Sequence, residues 1–566
     1  MTAEPTHRRP VVIGPRRWAR CAGCGLTVYV PKLDRALGVC PECGHHHRLG
    51  AAVRLRRLLD PGSFVPSPER IAGTDPLGFA DRVPYTARLA TARTRTGLDD
   101  AVVAGRGTLG RHPVVVAAMD FSFMGGSMGS AVGETITRAA ETALATRTPL
   151  LLLAASGGAR MQEGALSLMQ MAKTAQAMQR CRRSGILTVS VLTDPVFGGV
   201  TASFATLADL VVAEPGALIG FAGPRVIESA TGRPLPPGFQ TAEYLLEHGM
   251  LDRVEPRLTL RPLLTRVLSL HRAATPDRGH GAETPSWESV PALDRPPNSR
   301  RRSPWQTVRA ARDTRRPTTL DYIHLMCDDF VELHGDRCHG DDPAIVGGLA
   351  SLGPRNVMVI GHQKGHDTAE LVARNFGMPH PEGYRKVLRL ARLAERLRLP
   401  VVTLVDTQGA APGIGAEQRG QGQAIAETLA GLAELTVPVV ATITGEGGSG
   451  GALALALADR VLMLGNAWYS VISPESCSVI LLGDASRAET MAARLRLTAP
   501  ELLRLRVIDR ILPEPSGGAQ SSPAAMADTL RAAVLDTLDE LSGLAPGDLI
   551  TRRHQRFRRL GEVTHA

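Results

Sequence analysis

Four cysteines near the start of the chain are spaced as ligands of one metal ion. Cys21 and Cys24 form one C-x2-C pair, and Cys40 and Cys43 form a second after fifteen intervening residues. Each pair can present two thiolates to a tetrahedral ion, and this spacing is typical of a four-thiolate zinc ribbon. Because four thiolates saturate the ion, we predict a structural zinc. The three histidines at 45–47 are then expected to be surface or linker residues rather than ligands.

Glycine-rich turns are the second group of residues that could do chemistry. Each turn follows an apolar run and precedes a helical pattern, so backbone N–H groups can approach a ligand with no Cβ in the way. Two such turns side by side would form an oxyanion hole, which suits an enolate or an anionic carbonyl oxygen. The turns hold no Ser/His/Asp or Cys/His grouping, which argues against a covalent nucleophile. They contain Gly157 and Gly158, Gly198 and Gly199, Gly409 and Ala410, and Gly448, Gly450 and Gly451.

One turn also matches a dinucleotide-binding pattern. Gly445, Gly447 and Gly450 satisfy G-x-G-x-x-G. That fingerprint needs an acidic residue at the end of the next strand, roughly 20 residues on. Asp459 comes before the apolar run 461–464 rather than after it, so the pattern does not favour NAD binding.

The elements that must position these turns occur twice along the chain. From Gly198 to Asp209 and from Gly448 to Asp459 the spacing is the same eleven residues, which pairs Gly198 with Gly448. Near-continuous apolar strands that alternate with helices indicate an α/β fold with a buried sheet. We therefore predict two copies of one fold. The apolar runs and the helical patterns between them are 150–155, 165–178 and 186–192 in the first copy, and 401–405, 425–432 and 437–443 in the second.

Composition divides the chain into segments. The stretch 275–304 is rich in proline and arginine and lacks hydrophobic periodicity, which is typical of a linker. The arginine-rich end of the chain is expected to be poorly ordered. We predict a zinc ribbon at 18–48, a first domain at 49–274, a linker at 275–304, a second domain at 305–545 and a basic tail at 546–566.

Charge and hydropathy restrict the class of protein. No apolar run approaches the ~18 residues of a membrane span, and the first twenty residues lack the apolar core of a signal peptide. A cytoplasmic location is therefore expected. The net charge of +10 favours a polyanionic partner, which could be a phosphate-rich cofactor such as CoA or a nucleic acid.

Longer runs of residues carry a family resemblance. The first half combines the four cysteines with Thr193-Asp194-Pro195, and the second half contains the run 375–384, Asn-Phe-Gly-Met-Pro-His-Pro-Glu-Gly-Tyr. The chain resembles the carboxyltransferase of bacterial multisubunit acetyl-CoA carboxylase, with the β subunit fused ahead of the α subunit. The other matching runs are 123–129, 156–163, 198–203, 220–225, 332–337, 361–365, 445–451 and 470–475.

The resemblance implies a fold, a reaction and a set of partners. Both halves should have a crotonase-like fold, so the fold class is α/β with two such domains in tandem behind a zinc ribbon. The family transfers a carboxyl group from carboxybiotin on a carrier protein to acetyl-CoA and forms malonyl-CoA through an enolate. The β-like half should bind acyl-CoA and the α-like half carboxybiotin. A biotin carboxyl carrier protein and a biotin carboxylase are the implied partners, and a homodimer of the fused chain is expected.

The same resemblance assigns roles to the turns. Gly157, Gly158, Gly198 and Gly199 should line the hole for the thioester oxygen. Gly409, Ala410, Gly450 and Gly451 should do the same for the ureido oxygen of biotin, with Gly448 also at the cofactor. The family pattern Asp-Thr-Pro-Gly-Ala-Tyr-Pro-Gly has Gln408 and Ala411 in place of its first proline and its tyrosine, which removes a rigid φ and a packing surface on the biotin side.

Two other functions remain open at this point. Another crotonase-like acyl-CoA enzyme, such as a decarboxylase, hydratase or isomerase, is one. A hydratase would need paired carboxylates, and Glu163 and Glu417 are candidates but lie in different copies. A nucleic-acid-binding zinc ribbon is the other, since arginines follow the ribbon. The simpler hypothesis is that the ribbon is a lid over the CoA site, with these arginines at the nucleotide phosphates. The arginines are Arg48, Arg54, Arg56 and Arg57.

Overall fold

The protein divides into two compact units, Met1–Ser269 and Leu270–Ala566, here called unit 1 and unit 2. The computed structural model describes residues 18–80, 82–224, 227–228, 232–271 and 302–560. Most of the predicted linker, residues 275–301, and the last residues of the predicted tail lie outside the described part. The boundaries predicted between domains therefore stay predictions.

A small ribbon opens unit 1. Strands β1 (Trp18–Arg20) and β2 (Thr27–Tyr29) pair antiparallel, and the helix Val30–Arg35 follows them directly. The two C-x2-C pairs lie in turns, the first after β1 and the second near the isolated bridge of Val39 with His46.

One mixed, mainly parallel sheet forms the body of unit 1. Its strand order is β10-β8-β7-β6-β5-β4-β3, and β9 pairs with the end of β7. Strands β5 to β8 and β10 run parallel, while β3 and β4 are antiparallel additions at one edge. The strands are β3 (Val65–Pro66), β4 (Val102–Leu109), β5 (His112–Met119), β6 (Leu150–Ser156), β7 (Thr188–Phe197), β8 (Leu210–Ala213), β9 (Ile219–Gly220) and β10 (Arg253–Val254).

Unit 2 repeats this sheet. Its strand order is β11-β12-β13-β14-β15-β16-β18, and β17 pairs with the end of β15. The predicted tandem α/β architecture is thus confirmed. The strands are β11 (Asp329–Glu332), β12 (Ile345–Leu352), β13 (Arg355–His362), β14 (Val401–Thr407), β15 (Val439–Gly448), β16 (Arg460–Leu464), β17 (Trp468–Ser470) and β18 (Arg510–Leu512).

Helices cover the sheets because the central strands are apolar on both faces. All seven residues of β6 and of β14 are buried, so each sheet needs a layer on either side. The helices are Ala51–Leu58, Tyr85–Thr96, Ser130–Thr146, Gly164–Arg183, Ala242–Glu247 and Arg257–Leu270, then Pro304–Ala311, Thr319–Met326, Thr368–Ala373, Pro381–Leu397, Ile414–Gln418, Gln421–Ala433, Ser449–Ala456, Pro474–Leu482, Ala488–Leu495, Ala499–Arg504, Pro523–Ser542 and Pro546–Arg559. Short 3-10 turns lie at Met124–Gly126, Met161–Glu163, Asn375–Gly377, Ala485–Arg487 and Ala519–Ser521.

Strand pairing shows which residues of the two units are equivalent. Ser156 pairs with Val196 in unit 1, and Thr407 pairs with Gly447 in unit 2. Counting on from Val196 and Gly447, Gly198 corresponds to Ser449, and their φ angles of 63° and 59° agree. The pairing of Gly198 with Gly448 predicted from equal spacing is therefore wrong by one residue.

A wider helical turn explains this error. In unit 1 the residues after the glycines form a π-type turn, Thr201–Ala205, in which the Ala205 N–H donates to the Val200 carbonyl at 3.3 Å. Unit 2 has a regular α-helix there, Ser449–Ala456. A π turn holds one more residue than an α turn, so the spacing to the following aspartate matches although the glycines are out of register.

The basic tail is a helix rather than a poorly ordered segment as far as Arg559. The Arg553 guanidinium is buried and donates to both oxygens of Asp459, at 3.0 and 2.8 Å. It also donates to carbonyls at the end of the helix Gln421–Ala433 and just beyond, including that of Leu432. The hydrogen bonds of this one arginine thus hold the helix Pro546–Arg559 against unit 2. Composition alone does not predict that an arginine of the tail is buried.

Candidate active site and metal centre

The four cysteines form a site that could hold a metal ion. Their sulfur atoms all lie within 4.8 Å of one another, and the Sγ atoms of Cys21 and Cys43 are 3.7 Å apart. Tetrahedral zinc with Zn–S bonds of about 2.3 Å requires sulfurs roughly 3.8 Å apart. The geometry therefore fits a four-thiolate ion, as the spacing predicted.

Of the three histidines predicted to be surface or linker residues, His45 is exposed, but the other two are not surface residues, contrary to the prediction. His46 and His47 are buried. The His46 ring accepts the backbone N–H of Arg257 through Nε2 at 3.2 Å, and Arg257 Nη1 donates to the His47 carbonyl at 3.1 Å. These residues attach the ribbon to the body of unit 1, a role that spacing alone does not indicate.

The turns after β6 and β7 lie against each other in unit 1. A Cβ on Gly198 would be 3.0 Å from the Cα of Gly158 and 3.8 Å from the nitrogen of Ala159. Gly158 has φ of 122°, a conformation that residues with a side chain rarely adopt. The close backbone approach predicted for these two turns is thus present.

Hydrogen bonding decides which N–H groups in these turns can face a ligand. The Gly157 N–H donates to the Gly125 carbonyl and the Gly198 N–H to the Phe221 carbonyl. The Gly158 N–H donates to Ser156 Oγ at 3.0 Å. In the described part of the chain, the N–H groups of Ala159 and Gly199 have no such acceptor. Ala159 and Gly199 are therefore the candidate oxyanion donors of unit 1.

The same arrangement recurs in unit 2. The Gly409 N–H donates to Thr407 Oγ1 at 3.1 Å, and the φ of Gly409 is 155°. Ala410, like its counterpart Ala159, has an N–H with no acceptor among the described residues. Gly450 lies in the first turn of its helix, where N–H groups have no helical acceptor. Ala410 and Gly450 are the candidate donors of this unit.

The residues predicted for these turns thus have two different roles. The N–H groups of Gly199, Ala410 and Gly450 have no acceptor among the described residues and can face a ligand. Those of Gly157, Gly158, Gly198 and Gly409 donate to other groups of the protein, and these residues shape the turns. Gly448 allows β15 to pass the first turn, because a Cβ there would lie 1.9 Å from the Gln408 carbonyl oxygen. Gly451 makes room behind Ala410. Sequence reasoning missed Ala159, although its correspondence to Ala410 would have identified it once the register was right.

Gly451 leaves room behind the first turn of unit 2 for the side chain of Tyr384. In unit 2, a Cβ on Gly451 would lie 2.5 Å from the nitrogen of Ala410 and 2.7 Å from the hydroxyl oxygen of Tyr384. By strand and turn equivalence, unit 1 has Val200 in place of Gly451. The Tyr384 hydroxyl is buried and has no hydrogen-bond partner within the described ranges. Burial raises its pKa, so the hydroxyl keeps its proton.

A buried charge network underlies the first turn of unit 2. Lys364 Nζ lies 2.7 Å from both Asp406 and Glu446, and Arg312 Nε donates to Glu446 at 2.7 Å. Burial alone would raise the pKa of Glu446, but Lys364 and Arg312 outweigh it, so the pKa is lowered. Gln408 lines a cavity of about 140 Å³ beside this network.

The substitution of the family tyrosine is accommodated at Ala411. Its side chain is buried, and its N–H donates to the Pro379 carbonyl at 2.9 Å. Its carbonyl accepts from Gln421 Nε2 at 3.0 Å. In unit 1 the Arg160 N–H makes the corresponding bond to Met128, so the turn keeps its anchoring despite the changed side chain.

Two alternatives raised by the sequence lose support. The Glu163 carboxylate is buried and accepts from the Tyr85 hydroxyl at 2.7 Å and the Ser130 N–H at 2.6 Å, so it caps a helix, whereas Glu417 is exposed. The structural hydrogen bonds of Glu163 argue against this residue as one half of a hydratase pair. Gly445 and Gly447 lie inside strand β15 rather than in a phosphate-binding loop, which argues against dinucleotide binding.

Two units, each with paired backbone turns at the carboxyl ends of neighbouring parallel strands, place two candidate oxyanion sites in one chain, and comparisons with known proteins identify the class as carboxyltransferase. The family described as "Acetyl co-enzyme A carboxylase carboxyltransferase-like" matches residues 299–561. The family described as "Carboxyl transferase domain" matches residues 46–237.

Similar proteins extend over nearly the whole chain. It is 56% identical to the acetyl-coenzyme A carboxylase carboxyl transferase subunits beta/alpha of Salinispora arenicola, over 97% of both chains. The protein of the same description from Natranaerobius thermophilus is 44% identical, over 96% of this chain and 91% of its own. The alpha subunit of Thermus thermophilus is 56% identical over 46% of this chain and 82% of its own.

Solved structures share the fold. The transcarboxylase 12S structure with methylmalonyl-coenzyme A and methylmalonic acid bound matches with a TM-score of 0.69 at 22% identity, over 91% of this chain and 92% of that one. A single-chain, multi-domain long-chain acyl-CoA carboxylase matches with a TM-score of 0.65 at 21% identity, over 91% of this chain and 50% of that one.

The chain belongs to the fused beta/alpha carboxyl transferase subunits of acetyl-CoA carboxylase. It is an enzyme of the carboxyltransferase class, as the resemblance indicated. No helix in the described ranges is long and apolar enough to cross a membrane.

Proposed function

We propose that this chain transfers a carboxyl group from carboxybiotin, carried by a biotin carboxyl carrier protein, to acetyl-CoA and forms malonyl-CoA. The observation that carries the proposal is the matched pair of backbone sites. Among the described residues, the N–H groups of Ala159 and Gly199 in unit 1 and of Ala410 and Gly450 in unit 2 have no acceptor. Two substrates that each develop negative charge on an oxygen need two such sites.

Each site has its own substrate in this proposal. In unit 1 the donors bind the thioester oxygen of acetyl-CoA and stabilise its enolate. In unit 2 they bind the ureido oxygen of biotin as negative charge develops there. Carboxybiotin releases its carboxyl group as CO2, the ureido nitrogen takes the α-proton of acetyl-CoA, and the enolate carbon attacks CO2. This route needs no protein base, which agrees with turns that hold no base–nucleophile pair.

The metal proposed for the cysteine cluster is zinc, one ion per chain. Four thiolates with no open position suit a structural zinc. Its contribution is to hold the two C-x2-C turns together and so keep the ribbon folded on unit 1. We assign it no chemical step.

A second copy of the chain is the proposed partner for the exposed apolar side chains near the turns. Met161 and Phe221 in unit 1 are 81% and 71% exposed, and Ile414 and Val471 in unit 2 are 79% and 77% exposed. Phe221 directly adjoins the glycine turn, since its carbonyl accepts the Gly198 N–H. A homodimer that buries these side chains would keep water from the enolate.

A biotin carboxylase in the cytoplasm would recharge the carrier protein.

The reverse reaction tests the proposal. Purified protein is given malonyl-CoA with and without biocytin, and acetyl-CoA formation is followed. We expect turnover that depends on biocytin. Gly158→Val and Gly409→Val should each lower it at least about 100-fold, since one oxyanion donor is worth about that much. Circular dichroism and zinc content should stay as in the wild type.

Other outcomes would replace the proposal. Loss of malonyl-CoA without biocytin would identify a decarboxylase. A folded, zinc-loaded protein that turns over none of several acyl-CoAs would favour a binding module.

A further inference from the structure

Arg48 lies where the zinc ribbon ends and contacts the parts of unit 1 that carry both turns. Its Nε and Nη2 atoms are each 3.1 Å from Asp194 Oδ2. Its guanidinium carbon lies 4.2 Å from the centroid of the Phe121 ring. A planar guanidinium can stack on a ring and pair with a carboxylate at the same time, and Arg48 does both.

The Phe121 side of this contact leads to the first turn. The Phe121 ring lies 3.9 Å from the Cβ position of Gly157. Gly157 in turn is held by its bond to the Gly125 carbonyl. Arg48 and the turn that ends in Ala159, one of the two candidate donors, therefore both lie against the Phe121 ring.

The Asp194 side leads to the second turn. Asp194 Oδ1 accepts the N–H of Leu218 at 3.3 Å, and Leu218 directly precedes strand β9. Phe221 directly follows that strand, and its carbonyl accepts the Gly198 N–H at 2.9 Å. Arg48 therefore reaches, through Asp194 and β9, the turn that carries Gly199, the other candidate donor.

The ribbon itself is fixed at its other side. Arg257 donates to the Leu37 carbonyl of the ribbon at 2.7 Å and pairs with the buried Glu214. Glu214 also pairs with Arg54. Burial alone would raise the pKa of Glu214, but Arg54 and Arg257 lower it to about 2, so the network stays charged at neutral pH. Arg48 thus belongs to a ribbon that is already attached to the body of unit 1.

We propose that Arg48 is a positioning residue for the acyl-CoA hole, coupling the zinc ribbon to both donor turns. This inference rests on the proposed function, because it assigns Arg48 to the thioester side of that reaction. Arg48 is not a catalytic residue here, since it acts through Phe121 and Asp194. It differs from an arginine that merely attracts CoA phosphates, because its effect does not depend on the nucleotide.

The test compares Arg48→Ala with Arg35→Ala in the biocytin-dependent assay. Arg35 is an exposed arginine on the ribbon helix Val30–Arg35 and serves as the matched control. Misplacement of reacting groups by about 1 Å can cost about 100-fold. We expect kcat to fall between about 10-fold and 100-fold in Arg48→Ala, with the KM for biocytin unchanged and Arg35→Ala like the wild type. Arg48→Lys should recover part of the loss, because it keeps the ion pair without the stacking.

The choice of substrate separates positioning from phosphate binding. With malonyl-pantetheine, which lacks the nucleotide and its phosphates, Arg48→Ala should show the same fold-loss as with malonyl-CoA. A loss confined to malonyl-CoA, seen mainly in its KM, would overturn the proposal in favour of a phosphate contact. Equal activity of Arg48→Ala and wild type would also overturn it. Absence of biocytin-dependent turnover in the wild type would instead contradict the proposed function.

A double-mutant cycle tests whether Arg48 acts through Phe121. Phe121→Leu removes the ring on which the guanidinium stacks. If Arg48 acts through Phe121, the losses in kcat of Arg48→Ala and Phe121→Leu should be clearly less than multiplicative in the double variant. Multiplicative losses, with zinc content and melting temperature unchanged, would show that the two residues act independently and would contradict the mechanism.

Discussion

Gly451 illustrates how little space the backbone leaves at the candidate donors. Its Cα packs beneath the first turn, and any Cβ would fall within 2.7 Å of both the Ala410 nitrogen and the Tyr384 hydroxyl. Contacts below 3.0 Å force atoms to move, and the Ala410 nitrogen is backbone that cannot move alone. The small residue at 451 thus fixes the orientation of the Ala410 N–H.

Gly451→Ala should therefore impair the biotin side. We expect at least about a 100-fold loss of biocytin-dependent turnover, comparable to the loss of one oxyanion donor, because the Ala410 N–H is pushed out of line. Malonyl-CoA affinity, measured by calorimetry, should be unchanged because unit 1 is untouched. Gly543→Ala is the control, since a Cβ there meets nothing within 4 Å. Wild-type turnover in Gly451→Ala would contradict the assignment of Ala410 as an oxyanion donor.

Sequence predicts residue types at the site better than residue roles. The candidate metal ligands follow from the two C-x2-C pairs, since the spacing predicts that four thiolates lie together, as they do. The candidate oxyanion donors do not follow from the sequence pattern. Which N–H group is free depends on hydrogen bonds such as that of the Gly158 N–H to Ser156. The contacts of Arg48 with Phe121 and Asp194 join residues far apart in the chain, and no local pattern encodes them.

The ribbon has too small a core to fold by apolar burial. Its buried cluster consists of Cys21, Val28, Leu33 and Cys40, so two of its four members are proposed metal ligands. Isolated ribbons of this size depend on the metal, whose binding is worth about 10–16 kcal/mol in zinc-finger peptides. The docking contacts of Arg257 hold the ribbon in place but do not replace that energy.

Removal of the metal should therefore unfold the ribbon alone. After chelation at neutral pH, hydrogen exchange of residues 18–48 should rise strongly, while strands β5 to β8 keep their protection. Mass spectrometry under native conditions should show the loss of one ion per chain. Cys24→Ser combined with Cys43→Ser should reproduce the effect. Unchanged exchange of the ribbon after complete metal loss would contradict a structural role for the ion.

At the scale of elements, sequence predicts the strands and the repeat but not the register between copies. The apolar runs 150–155 and 401–405 coincide with β6 and β14, because strands buried on both faces must be apolar throughout. The one-residue error at Gly198 arises because the π-type turn Thr201–Ala205 restores the spacing downstream. Hydrogen-bond pattern, rather than residue type, distinguishes that turn from an α-helix.

At the scale of the whole molecule, both units leave apolar side chains exposed close to their turns. Phe221 and Val471 occupy comparable places after the second turn of each unit, and both are more than 70% exposed. The helix Pro474–Leu482 adds Ile480 and Leu481, which are 72% and 68% exposed. Contiguous exposed apolar side chains mark interaction sites. Phe221 and Val471 directly follow the strands that pair with the ends of β7 and β15, and this place next to the turns favours a partner that every chain possesses, namely a second copy.

Charge placed in this helix should separate the copies. We expect wild-type protein to sediment as a dimer, and the double variant Ile480→Asp, Leu481→Asp to sediment as a monomer with a melting temperature close to that of the wild type. Biocytin-dependent turnover should fall about 100-fold in that variant if the dimer excludes water from the enolate. Leu505→Asp is the control, because Leu505 is also an exposed leucine of unit 2, at 57%, but is not part of this helix. A wild-type monomer with full activity would contradict the dimer, and each chain would then have to shield its own two sites.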